Sequence, residues 1–175
     1  MLAQILGILA LIAMVLSYQM KDRKVLLWFQ LASNALFAVS YFLLDAKTGA
    51  VLSLVNVARC VVFANRDKKW GESRLWLYFF LVIALAGGIL SWEGPRSILV
   101  IAATLLLTVA LYSENMKFMR KIFLVCPLLY IVYNILSGSI GGIGNDVFCL
   151  ISAAVAFWRF DFRPAQEEKS AAGKK

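Results

Sequence analysis

"SLVNVARCVVFANR", residues 53–66, is apolar enough to lie in a lipid bilayer, yet it carries Arg59 near its middle and Asn56 one turn earlier. A guanidinium in hydrocarbon needs a partner or a purpose, and the reading of both fold and function turns on which it has.

The rest of the chain supports the membrane setting. Of 175 residues, 62% are hydrophobic and 16% charged, against roughly 45–50% and about 25% in soluble domains, which implies an integral membrane protein. Histidine is absent, and Cys60, Cys126 and Cys149 all sit in apolar runs. This removes the usual zinc, haem and His-dependent catalytic arrangements and leaves no disulfide framework, so neither a metal site nor a cofactor is expected.

A helix needs about 20 apolar residues to cross the hydrocarbon. Seven such stretches are expected, near Leu2–Tyr18, Val25–Leu44, Gly49–Asn65, Leu75–Trp92, Pro95–Tyr112, Phe118–Ser137 and Ile140–Phe160. If they alternate, only Lys47 and Arg96 of the 18 Lys and Arg fall on the side of the N-terminus. Apart from Arg59, all the others lie opposite, in the groups Lys21 to Lys24, Arg66 to Arg74, Lys117 to Lys121 and Arg159 onward. The positive-inside rule then places the N-terminus outside and the C-terminus in the cytoplasm. The net charge of +8 reflects that topology rather than nucleic-acid binding, because the basic residues form short separate loops. The lipid bilayer is the expected partner, and nothing in the sequence indicates a homo-oligomer. The tail "RPAQEEKSAAGKK", residues 163–175, has no apolar face and reads as a disordered cytoplasmic extension.

The two halves share a layout. "SYFLLDAKTGAVLS" joins the second helix to the third and "VYNILSGSIGGIGN" the sixth to the seventh, aligning Tyr41 with Tyr133, Leu44 with Leu136 and Gly49 with Gly141. Each half has an apolar helix, a basic loop ("KDRK" or "KFMRK"), a second helix, a short Gly-containing turn and a third helix. An intervening fourth helix returns the second unit to the orientation of the first, as parallel repeats require. The expected fold is therefore all-α, in a three-plus-one-plus-three arrangement. Residues 1–66 form the first three-helix bundle, 67–94 carry the linker helix and 95–162 form the second bundle.

The runs "SYFLLDAKTGAVLSLVNVAR" and "YNILSGSIGGIGNDVF", with "ILSWEGPRSILVIAATLLLTVALYSEN" between them, resemble the YgjV family of bacterial inner-membrane proteins. That family is remotely similar to the triple-helix-bundle group of SWEET and PQ-loop proteins, and the resemblance implies the same three-plus-one-plus-three architecture. The chain has no Pro-Gln dipeptide in either half and a single mid-helix proline, Pro127, the candidate hinge.

Two ionisable residues lie deep in the membrane. Counting from Gly49 and Gly141 at about 1.5 Å per residue, Arg59 lies roughly 15 Å down and Asp146 roughly 8 Å. Helical side chains lean toward the N-terminus, here the outer face, which brings the guanidinium toward the level of the carboxylate and predicts an Arg59–Asp146 pair. One reading makes this pair a structural bond fixing the two halves in a non-transporting accessory protein. The other makes it part of a pathway at the bundle interface for a small polar or anionic solute, lined by Ser53, Asn56, Arg59, Asn145 and Asp146. Asn34 and Thr104 join the pathway candidates because both fall near mid-depth, while Gln30, Thr108 and Asn134 read as interhelical glue. Asp45 and Asp22 lie too far along the chain's topology to give Asp146 a second carboxylate, and no enzyme is expected.

Overall fold

The computed structural model describes residues 2–45, 47–90, 92 and 94–162. The tail at 163–175, expected to be disordered, lies outside the described residues. The described chain forms seven α-helices: α1 (Leu2–Tyr18), α2 (Arg23–Leu43), α3 (Lys47–Ala64), α4 (Leu75–Leu90), α5 (Ser97–Tyr112), α6 (Met116–Leu136) and α7 (Ile140–Phe157). A π-helical turn, Trp158–Phe162, extends α7. Three helical segments, Arg23–Leu43, Met116–Leu136 and Gly142–Phe162, are long and apolar enough to span a membrane, and the remaining apolar helices are shorter.

Local sequence explains where the helices begin and end. Asp22 caps α2 by accepting from the Lys24 amide at 2.7 Å, and Asn115 caps α6 by accepting from Lys117 and Phe118. At the end of α6, Gly138 takes φ +68°, with its amide on the Ile135 carbonyl and the Ser139 amide on that of Asn134. This Schellman turn needs the left-handed conformation that glycine adopts without a Cβ clash. Ser139 then caps α7. Most expected boundaries move by one to three residues, and two of the shifts have a local cause. Pro95 lies in a tight turn ahead of α5 rather than in its first turn, with the Ser97 amide bonded to the Gly94 carbonyl. The α-helical part of α7 stops at Phe157, where the backbone widens into the π turn.

α2 packs between α1 and α3, and α6 between α5 and α7. α1 also lies against α7, α3 makes a narrow contact with α5, and α4 packs on α5. Six helices thus close a ring in the order α1, α2, α3, α5, α6, α7, with α4 attached outside it. Within each trio the second helix holds the other two together.

The basic loops gather at one end of the ring. Arg23 donates to the Leu111 and Ser113 carbonyls at 2.8 and 2.9 Å, and Arg66 to that of Tyr112 at 2.7 Å. Two cations from the first trio therefore sit on the C-terminus of α5, where unpaired carbonyls carry partial negative charge. Lys24 bonds Asp67 at 3.0 Å on the exposed rim. Its ammonium holds the Asp67 carboxyl below the usual carboxylate range.

Large side chains fill the basic half of the molecule. Tyr18, Leu26, Phe63, Phe80, Leu111, Met119 and Phe123 form its core, all within a few turns of the basic loops. Toward the opposite end the buried positions are small: Ala3, Ala10, Ser33, Ala38, Ser40, Ser53 and Ala103. Ser33 and Ser40 donate to the Ala10 and Ala3 carbonyls at 2.7 Å, bringing α1 and α2 together through small residues as membrane helices commonly do. Leucine, isoleucine, valine and phenylalanine cover the outer surface, up to 88% exposed at Leu90. That surface suits hydrocarbon and would be an aggregation hazard in water.

Candidate functional site

Arg59 lies in the second half of α3 and is 6% exposed. It does not pair with Asp146. Its Nη1 donates to the Thr108 hydroxyl on α5 at 2.8 Å, and its Nε has no hydrogen-bond partner among the described residues. The Thr108 hydroxyl donates to the Thr104 carbonyl at 2.8 Å, and the Thr104 hydroxyl lies 2.9 Å from that of Tyr130 on α6. The cation is therefore held by one neutral hydroxyl, that of Thr108, itself anchored on the α5 backbone.

Asp146, 8% exposed, sits elsewhere. It accepts from Asn134 at 2.7 Å and from Asn145 at 3.1 Å. The expected ion pair fails on lateral position, since α3 and α7 occupy opposite places in the ring and are not packed neighbours. Gly142 lets Asn134 reach this position, because a Cβ there would collide with the Asn134 amide.

Arg59 opens onto a cavity of about 320 Å³ between α3, α4 and α5. From α3 it is lined by Leu52, Val55, Asn56 and Arg59. α4 contributes Phe80, Ile83, Ala84, Gly87 and Gly88. Val100, Ile101, Thr104 and Leu107 come from α5, and Tyr130 closes the back. The Arg59–Thr108 bond sets the lower level. The cavity extends from there toward the end opposite the basic loops, over about 10 Å if counted from Arg59 to Leu52 along the helix. Beneath it, Phe63 packs edge-on against both Phe80 and Tyr112 at 5.5 Å, and Trp76 stacks on Phe80 at 6.2 Å. The aromatic layer separates the cavity from the basic end.

The predicted residues thus divide. Arg59, Asn56 and Thr104 meet in the cavity, whereas Asp146 and Asn145 form a separate polar cluster with Asn134. Ser53 is buried outside the cavity lining, and Asn34 on α2 donates back to the Gln30 carbonyl at 2.7 Å. Pro127 lies inside α6, which runs unbroken through it; lacking an N–H, it leaves the Phe123 carbonyl without its helical donor. Sequence reasoning missed Tyr130 altogether. Tyr130 and Asn134 stand at i and i+4 on one face of α6, a polar pairing that could have marked it. Thr108, read as glue, is the residue that holds the buried guanidinium.

The basic end holds a second unforeseen feature. Arg120 Nη1 contacts both carboxylate oxygens of Asp161 at 3.2 Å, with the two side chains 7% and 8% exposed. The Arg120 guanidinium also lies 4.8 Å from the centre of the Phe160 ring. The π turn places Phe160 and Asp161 together over the start of α6, and a buried ion pair forms here rather than at mid-depth.

Residues 1–163 match the sequence profile of Imp-YgjV, described as a bacterial inner membrane protein. The chain belongs to this family. The match agrees with the apolar helices and the lipid-compatible surface, and it extends over every described element of this YgjV-family protein. It carries no link to the SWEET and PQ-loop group. No curated protein and no solved structure matches the chain.

Proposed function

We propose that this inner-membrane protein binds or translocates a small polar or anionic solute through the cavity at Arg59. The observation carrying this reading is a buried guanidinium with one hydrogen bond and an unpartnered Nε, lining a cavity of about 320 Å³. A cation this poorly satisfied is costly unless something else completes its coordination. The difference between the two ends adds support. Aromatic packing of Phe63, Phe80 and Tyr112 closes the basic side, while Gly87 and Gly88 line the cavity toward the other end, as a pathway open toward one face requires. The reading is of a binding or transport protein rather than an enzyme. The alternative of an accessory protein loses the Arg59–Asp146 bond it invoked, since Arg59 is held by Thr108 and Asp146 by Asn134 and Asn145.

The clustered basic loops orient the protein with its basic end in the cytoplasm. A reporter fused after Lys175 should be cytoplasmic and one inserted between Trp92 and Pro95 periplasmic; a periplasmic C-terminus would overturn the orientation. The cavity would then face the periplasm. In Asn56→Cys, the introduced thiol should react in intact cells depleted of outer membrane with a membrane-impermeant thiol reagent, above the background of the unmodified chain, whose three cysteines are buried. Failure to react from either face of the membrane would mean that water does not reach the cavity, and would remove the solute reading.

A further inference from the structure

The cavity has one charge and an uneven wall. Arg59 is the one Lys or Arg among its described lining residues, and no Asp or Glu lines it. A ligand carrying two or more negative charges would bring at least one of them into an apolar enclosure without a counter-ion. The polar groups also share the lower part. Arg59 sits at the level of Thr108, and Asn56 and Thr104 lie one turn above it. Tyr130 is bonded to Thr104 at that upper level. Farther up, the walls are Leu52, Gly87, Gly88, Val100 and Ile101, which offer no side-chain hydrogen bond. A polyol or sugar would leave its hydroxyls unpaired there, at a cost that an apolar body avoids.

We infer that the site takes a small amphipathic monoanion, with one carboxylate directed to Arg59, Asn56 and Thr104 and an apolar body extending between α3 and α4 toward the open end. At about 30 Å³ per water-sized group, the cavity has room for on the order of ten non-hydrogen atoms. This inference rests on the solute reading above and names the ligand class for the same site.

The test uses the full chain in lipid nanodiscs and equilibrium dialysis of radiolabelled benzoate, with empty nanodiscs subtracting partition into lipid. The comparison ligands are benzamide, which has the same shape without the charge, and gluconate, which has the charge on a hydrophilic body. Saturable benzoate binding is expected, with benzamide and gluconate each weaker by about tenfold or more, the loss of one charged hydrogen bond or of the apolar fit. Arg59→Gln should weaken benzoate to the level of benzamide. Gly87→Leu should abolish binding by filling the cavity while leaving Arg59 intact, since a Cβ at Gly87 meets nothing within 4 Å. Equal binding of benzamide, binding unchanged in both variants, or gluconate as the better ligand would overturn the inference. Absence of benzoate binding would also overturn it. If the Asn56→Cys thiol is still labelled in that case, the broader solute reading stands and only the ligand class is wrong.

Discussion

Replacing Asp161 by leucine is expected to lower unfolding stability in detergent by about 3–5 kcal/mol, because it leaves the Arg120 guanidinium buried without its carboxylate. The geometry explains the size of the effect. Arg120 is 7% exposed on its side chain, its Nε already lacks a partner, and both of its hydrogen bonds to Asp161 come from Nη1. The contact with the Phe160 ring, worth about 0.5–2 kcal/mol, cannot replace a counter-ion. Replacing both residues, Arg120→Met with Asp161→Leu, should recover most of the loss, since an apolar pair of similar volume has no charge to desolvate. A double-mutant cycle from melting or denaturant unfolding reads this directly as a coupling energy. Two single variants each within about 1 kcal/mol of the parent would show that the pair behaves as a solvated surface bridge. The pair joins the start of α6 to the π turn after α7, so the loss should appear first as looser packing between those segments.

Arg59→Met should behave in the opposite way. Thr108 still donates to the Thr104 carbonyl when the guanidinium is gone, so no buried group is newly orphaned. Removing an arginine from mid-helix relieves an insertion cost of about 2.5–3.5 kcal/mol, less whatever its single hydrogen bond returns. Stability is therefore expected to be unchanged or to rise by about 1–2 kcal/mol, while benzoate binding is lost. A residue kept for packing would show the reverse, with stability falling by several kcal/mol and binding unaffected. Measuring the melt and the binding isotherm on the same nanodisc sample separates the two roles. Gain of stability with loss of ligand is the signature of a residue retained for what it binds, and a melt lowered by about 3 kcal/mol or more would assign Arg59 to the scaffold.

Much of the architecture was legible in the sequence because it depends on one coordinate, depth. Apolar run length located all seven helices, and the spacing of basic residues put their loops at one end. The selection of Arg59 as the informative residue also came from sequence, since a cation in an apolar helix stands out without any knowledge of neighbours. Asn56 followed from its place one turn from Arg59 and Thr104 from its mid-depth position, and both line the cavity, whereas Asn34, chosen on the same ground as Thr104, does not.

What depth could not supply was the order of the helices around the ring. Arg59 and Asp146 were placed at reachable levels, but a pair also requires their helices to be neighbours, and α3 meets α5 rather than α7. That choice is made by packing: Thr108 on α5 presents an oxygen to Arg59, while Asn134 on the adjacent α6 satisfies Asp146. The π turn that brings Asp161 onto Arg120 has no counterpart in hydropathy, because widening a helix by one residue per turn changes direction without changing composition. The cavity is likewise a tertiary product. It lies between α3, α4 and α5, above the contact of Phe63 with Phe80, and Gly87 leaves space in its wall where a Cβ would meet nothing within 4 Å. The sequence determined where the helices run along the chain and at which end the basic loops gather; helix packing decided which side chains meet, since contact depends on azimuth and neighbour order as well as on position along a helix.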